Sequence, residues 1–156
     1  MKKKDALILS FLRLNARAPL TQLSRRTGLP VSTVFDRIKS STGDVVKKHC
    51  SLLNFDKIGF SACAHILLKV AQDSRNDIVQ FLNQSLFVNS FFKINNGWDF
   101  MVECIFRDMR SLESFIEVLE SDFGVKAKEV HYVLDEYKRE AFMDNPDMVD
   151  SLLCLS

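Results

Sequence analysis

The sequence predicts an α+β protein in which an N-terminal helix-turn-helix is followed by a ferredoxin-like βαββαβ C-terminal domain. Apolar residues recur at helical spacing through the first forty residues, whereas strand-like and helical periods alternate from residue 62 onward. The charge divides in the same way. Residues 1–50 hold eleven lysines and arginines against three acidic residues, a formal charge of +8, and the remaining residues hold ten against seventeen, a charge of −7. Such asymmetry favours a polyanion as the partner of the first part, although two ordinary domains of opposite charge remain the alternative.

Three short helices are predicted at the N-terminus. One side of residues 5–14 is apolar, and a second helix fits residues 20–27, where Gly28 can adopt the left-handed conformation that ends a helix. A third helix follows over residues 31–40. Its predicted core stripe has the spacing i, i+3, i+4 and i+7, and consists of Val31, Val34, Phe35 and Ile38. The last two helices, joined by a tight turn, are typical of a helix-turn-helix.

The pattern after Gly43 predicts a change of structure. The apolar pairs Val45-Val46 and Leu52-Leu53 indicate short extended pieces before the second domain. The predicted divisions are a helix-turn-helix domain (1–50), a hinge (51–61), a ferredoxin-like domain (62–140) and a C-terminal tail (141–156). For the tail, a short helix docked on a partner and a frayed end are both compatible with the sequence.

The second domain is predicted to hold four strands and two helices. Residues alternate in polarity from Ala62 to Val70, as in a strand with one buried face. The dipeptide Asn96-Gly97 favours a hairpin. The elements in order are a strand at 62–70, a helix at 73–84, strands at 88–95 and 98–106, a helix around 112–119 and a strand at 125–137. Because helices cover only one face of such a sheet, we expect the other face to be buried in a homodimer.

The outward side of the third helix carries side chains suited to the DNA major groove. The arc opposite the core stripe holds Ser32, Thr33, Asp36, Arg37, Lys39 and Ser40. Arginine can form paired hydrogen bonds with a guanine edge, and serine and threonine can bond bases or phosphates. We therefore predict that this helix reads double-stranded DNA; the alternative is a solvated face of a helical bundle. The remaining cations are predicted phosphate contacts or plain surface charge, and they are Arg25, Arg26, Lys47 and Lys48.

Several motifs in order resemble the Lrp/AsnC family of transcriptional regulators. They are Asp5-x-x-Ile8-Leu9-x-x-Leu12, Asn15-x-Arg17, Leu23, Gly28-Leu29, Ser32-x-Val34 and Arg37-Ile38, then the linker from Leu53 to Phe60, and Asn96-Gly97-Trp98-Asp99-Phe100. The resemblance implies a winged helix-turn-helix on a dimerising sheet, assembly beyond the dimer such as an octamer, and small effectors, commonly amino acids, between C-terminal domains. Four features depart from the family: Pro30 replaces a serine cap, Ser40-Ser41-Thr42-Gly43 replaces a charged, leucine-containing helix end, Asp44 lies near the expected wing glycine, and Asn96 replaces a hairpin glycine.

The hairpin at residues 95–99 is the candidate effector site. Backbone N–H groups of the turn formed by Asn95, Asn96 and Gly97 can hold a carboxylate, and Asp99 can pair with an ammonium group. An α-amino acid carries both groups. The alternative is that Asp99 braces the turn.

No catalytic residue, cofactor or metal is predicted. The three histidines are isolated from one another, and the four cysteines form no C-x-x-C pair. A siroheme-decarboxylase-like enzyme on the same architecture is one alternative, but such enzymes use a histidine-rich hairpin and residues 91–96 contain no histidine. An assembly or sensor protein without DNA binding is another. A cytoplasmic location is expected, because no signal peptide or run of ~20 apolar residues occurs.

Overall fold

Two separate stretches of the sequence form one helical unit. In the computed structural model, which describes residues 2–154, this helical unit contains the described residues up to Leu52 and those from Tyr137 onward. The intervening residues, Leu53–Glu136, form a sheet unit. The segment predicted as a separate tail therefore belongs to the helical unit. No described helix is both long enough and apolar enough to cross a membrane.

The helix-turn-helix is present with the predicted order of elements. It consists of α1 (Lys3–Leu14), α2 (Leu20–Thr27) and α3 (Val31–Ser41). Gly28 ends α2 with φ 64°, and its N–H donates to the Ser24 carbonyl at 2.9 Å. The buried cluster of the three helices is small and consists of Ile8, Phe11, Leu23 and Val34.

The predicted core stripe of α3 is only partly correct. Val34 is fully buried and Ile38 packs beside the cluster, but Val31 is exposed and Phe35 is 51% exposed. A helical wheel gives the direction of a side chain but not the width of the core that it meets. Because this core is narrow, it covers the centre of the stripe and leaves the edge in solvent.

The extended pieces predicted after α3 do not form strands. Gly43, Asp44 and Val45 make a turn, which is closed by an isolated bridge between Thr42 and Val46. Residues 47–54 have no regular structure. The paired strands of a wing are therefore absent from the described residues, and apolar pairs alone do not supply the hydrogen-bonding partner that a strand requires.

The C-terminal segment packs against α1 of the same chain. After a short 3₁₀ turn at Pro146–Met148, α6 (Val149–Leu153) lies on α1, and Val149 is 1% exposed. Three ion pairs join this segment to the first two helices: Lys3–Asp150 at 2.5 Å, Arg13–Glu140 at 2.9 Å and Arg26–Asp147 at 3.3 Å. The segment therefore packs on α1 of its own chain, whereas the sequence is compatible with a frayed end or with docking on a partner.

The sheet unit has the predicted βαββαβ order. Its elements are β1 (Ala62–Val70), α4 (Arg75–Gln84), β2 (Val88–Lys93), β3 (Phe100–Phe106), α5 (Met109–Asp122) and β4 (Val125–Tyr132). The strands are antiparallel neighbours in the order β2-β3-β1-β4. The fourth strand ends five residues before the predicted Tyr137. The predicted α+β class, with a helix-turn-helix followed by a ferredoxin-like unit, is confirmed.

The main core lies between the two helices and one face of the sheet. Alternate residues of β1, from Ala62 to Val70, are buried there, as the sequence pattern predicts. Leu112 and Ile116 of α5 pack on the same face. Asp108 caps the N-terminus of α5, and its carboxylate accepts a hydrogen bond from the Ser111 N–H at 2.8 Å. The opposite face of the sheet has no covering helix in the unit.

Candidate nucleic-acid interface and effector hairpin

The outward arc of α3 presents most of the predicted base-reading side chains to solvent. Ser32, Asp36, Lys39 and Ser40 are exposed, and Thr33 is half-buried. Neither Asp36 nor Lys39 forms an ion pair with another described residue. Pro30 precedes the helix and provides no side-chain capping bond. The arc therefore offers short hydroxyls, one carboxylate and one ammonium group to a ligand.

Arg37 is held away from this arc. Its Nη1 atom lies 2.5 Å from Asp5 Oδ1 on α1, and both side chains are about one-third exposed. The position of Arg37 in the sequence predicts that its guanidinium reaches a guanine edge. In the structure the same residue ties α3 to α1, so its guanidinium must first leave Asp5 to reach a base.

The four predicted phosphate contacts differ in their surroundings. Arg25, Lys47 and Lys48 are exposed and form no ion pair among the described residues. Arg26 lies over the Phe11 ring at 5.4 Å and pairs with Asp147 at 3.3 Å. Arg26 is therefore the one of the four that an internal acid already holds.

Phe35 is an outward residue that sequence reasoning missed. The sequence assigned it to the core because it follows Val34 and precedes Ile38 by three positions. In the structure it shares the solvent-facing side of α3 with Ser32 and Lys39. No pattern within the helix distinguishes a covered edge from an uncovered one.

The predicted hairpin forms between β2 and β3. Asn96 and Gly97 have φ values of 62° and 94°, the consecutive left-handed conformations of a tight hairpin turn. Glycine adopts such values without strain, and asparagine is among the few other residues that tolerate them. Asn95, Asn96 and Gly97 are all exposed.

Asp99 braces the hairpin against the end of β1. One carboxylate oxygen accepts a hydrogen bond from the Val70 N–H at 2.9 Å, and the other pairs with Arg75 of α4. The Asp99 side chain is 20% exposed. Its carboxylate therefore has two internal partners, and a ligand ammonium group must share it with Arg75.

The uncovered face of the sheet carries one apolar and one polar row. Phe92, Met101 and Leu67 are neighbours across β2, β3 and β1. The next row runs Ser90, Glu103, His65 and His131 across all four strands. Glu103 is 4% exposed and accepts hydrogen bonds from Asn89 Nδ2 at 2.6 Å and Ser90 Oγ at 2.8 Å. This face therefore carries partly exposed apolar side chains together with a buried carboxylate that already accepts two hydrogen bonds within the unit.

The histidines and cysteines form no reactive cluster in the described part of the chain. No group of three or more His, Cys, Asp or Glu residues there is arranged to hold a metal ion. Burial raises the pKa of the Cys104 thiol to about 12, with smaller contributions from Cys63 and Glu103. At neutral pH Cys104 is therefore a protonated core side chain.

Comparison with known proteins assigns both units. Residues 1–40 match the AsnC-type helix-turn-helix domain, and residues 62–142 match the Lrp/AsnC ligand binding domain. The chain is 28% identical over 135 residues to the HTH-type transcriptional regulator FL11 of Pyrococcus abyssi, covering 86% of this chain and 89% of that protein. It is 23% identical over 150 residues to the glutamate uptake regulatory protein of Zymomonas mobilis, covering 94% and 92%.

Solved structures agree with this assignment. The transcriptional regulator NMB0573 of Neisseria meningitidis, solved in complex with L-Met, superposes with a TM-score of 0.82 and 27% identity over 89% of this chain and 93% of that one. Escherichia coli AsnC has the same fold, with a TM-score of 0.80 at 14% identity over 92% and 98%. With a family domain matched over more than half of its length, this chain belongs to the Lrp/AsnC family of transcriptional regulators.

Proposed function

We propose that the protein is a cytoplasmic, sequence-specific regulator that binds double-stranded DNA as a homodimer or larger assembly and responds to a small molecule such as an amino acid. The observation that supports it best is the exposed polar arc of α3 within a segment of charge +8. A helix with this arc fits the major groove, and the surrounding cations favour the phosphate backbone. The match to the AsnC-type helix-turn-helix domain supports the same function.

Binding to duplex DNA at two salt concentrations tests this proposal. We expect the affinity of the full-length protein for random duplex to fall steeply between low and moderate salt, because each phosphate contact releases a counterion. Replacing Lys47 and Lys48 by glutamine is expected to reduce the salt slope by about two. The matched control replaces Lys126 and Lys128, which lie on β4 of the sheet unit, by glutamine. Absence of duplex binding at low salt would instead favour a sensor protein that does not bind DNA.

The homodimer is proposed to form through the uncovered face of the sheet. The apolar row centred on Leu67 provides hydrophobic area, and the hydrogen-bonded Glu103 can be buried at limited cost because its partners are already in place. Leu67→Glu is expected to weaken the dimer in sedimentation experiments. Leu86→Glu is the control, since Leu86 is almost fully exposed outside the strands. An unchanged dimer in the Leu67 variant would exclude this face.

Assembly to an octamer is an expectation from the family.

The effector is proposed to bind near the hairpin at residues 95–99. The exposed turn offers backbone N–H groups to a carboxylate, and the L-Met complex of the structural relative supports an amino acid as the ligand class. Thermal shift across the twenty amino acids tests this. A ligand that raises the melting temperature should do so less in Asp99→Ala, with the dimer intact. If no amino acid shifts the wild-type protein, the effector belongs to another class.

A further inference from the structure

The exposed ring of Phe35 is not explained by the packing of the helical unit. Val34, the neighbouring residue, fills the contact between α3 and the other two helices and is fully buried. Phe35 lies at the edge of that contact with half of its surface in solvent. The exposed half of this side chain gains little from folding, and with Val31, which is 41% exposed one turn earlier, it forms an exposed apolar strip on α3 that a ligand can cover.

The residues around Phe35 indicate what that ligand is. Helical spacing places Ser32 one turn before it and Lys39 one turn after it, so the three side chains form one ridge along α3. A hydroxyl, an aromatic ring and an ammonium group in line suit a groove with apolar and anionic features. The charge of +8 on residues 1–50 favours nucleic acid over a protein partner as the occupant.

The major groove contains one apolar group that such a ring can recognise. Among the four bases only thymine presents a methyl group there, at C5, and phenylalanine is one of the side chains that contact it. Arg37, the side chain otherwise best suited to read a base, is bound to Asp5. The reading surface of α3 is therefore more apolar than its sequence indicates.

We propose that Phe35 is a specificity-determining residue that contacts the C5 methyl group of a thymine in the major groove. This inference rests on the proposed DNA-binding function and names a feature of the sequence that the protein reads. Each subunit of a dimer places one Phe35 ring in its own half-site. A thymine at one fixed position of each half-site follows from this arrangement.

Replacement of thymine by uracil tests the contact, because uracil lacks only the methyl group. A preferred duplex is first selected from a randomised pool with the full-length protein. Each thymine of this duplex is then replaced singly by uracil, and the dissociation constant is measured for wild type and for Phe35→Ala. We expect wild type to lose about fourfold in affinity at one thymine of each half-site, the value of one buried methyl group. Phe35→Ala should lose nothing at that position.

Two further variants control the result. Leu14→Ala removes a similarly exposed apolar side chain from the end of α1, and it should keep the full uracil penalty. Phe35→Leu keeps an apolar side chain, and it should keep part of the penalty. This variant keeps the test decisive if the alanine variant binds too weakly to measure.

The possible failures are distinguishable. A pool from which the wild-type protein selects no sequence overturns the proposed function and this inference with it. A selected site whose uracil penalty survives in Phe35→Ala and in Phe35→Leu overturns the inference alone. A change in sedimentation of Phe35→Ala with an unchanged uracil penalty would show that Phe35 contacts another copy of the chain instead of DNA.

Discussion

The helical unit and the sheet unit achieve stability in different ways. Among the described residues, the buried apolar cluster of the sheet unit has fifteen members, whereas that of the helix-turn-helix has four. The helical unit also has contacts from a segment distant in the sequence, namely the packing of α6 on α1 and three ion pairs to the first two helices. A small helical unit that leaves apolar and charged side chains in solvent has a small core, and a segment distant in the sequence supplies further buried area.

Loss of a central core side chain should affect the sheet unit most. Ile66 is fully buried in β1, with Val102 and Val130 beside it on the neighbouring strands. Ile66→Ala is expected to lower the free energy of unfolding by about 3 kcal/mol, because the cavity cannot collapse between a sheet and two helices. Urea unfolding measures this, with Leu86→Ala as a solvent-exposed control. An effect below about 1 kcal/mol would contradict a rigid core.

Removal of the buried side chain of α6 should have a smaller effect, confined to the helical unit. Val149→Ala deletes two methyl groups from its contact with α1, and we expect a loss of about 2 kcal/mol. Hydrogen exchange locates the effect: amides of α1 should lose protection while those of β1 do not. Leu152→Ala, a partly exposed neighbour, is the control. Equal loss of protection in both units would mean that they unfold together.

The ion pair between Arg37 and Asp5 should contribute about 0.5 kcal/mol, because both side chains are partly solvent-exposed. A double-mutant cycle with Arg37→Ala and Asp5→Ala measures this coupling. If the pair ties α3 to α1 as observed, Arg37→Ala lowers stability and leaves the preferred DNA sequence unchanged. A loss of about 1–3 kcal/mol in binding to the preferred sequence alone would instead restore the base-reading role predicted from the sequence.

The smallest expected effect concerns Arg26. Asp147→Asn removes its internal partner and leaves the guanidinium available to a phosphate, so duplex affinity at low salt should rise about twofold. Asp144→Asn is matched in charge and in segment, but Asp144 pairs with no described cation. If duplex affinity rises equally in both variants, the cause is the change in net charge and not the release of Arg26.

Sequence alone predicts an element when its polarity pattern runs through its whole length or when a residue next to it marks its end. The strict alternation from Ala62 to Val70 specifies β1 and its buried face, and Gly28 marks the end of α2. The same reasoning fails where a distant residue decides the outcome. The pairing of Arg37 with Asp5 and the docking of Val149 on α1 depend on residues far apart in the sequence. The exposure of Phe35 depends on the width of the core beneath α3, and the apolar pattern of the helix does not specify that width.

The discontinuous helical unit also sets an order of events during synthesis. A ribosome delivers α1, α2 and α3 first, then the complete sheet unit, and only then the segment from Tyr137 onward that packs on α1. Until that segment emerges, the nascent helix-turn-helix lacks the buried side chain of Val149 and the acidic partners of Lys3, Arg13 and Arg26. The three helices of the helix-turn-helix are therefore translated before the sheet unit, but the helical unit is completed only after it.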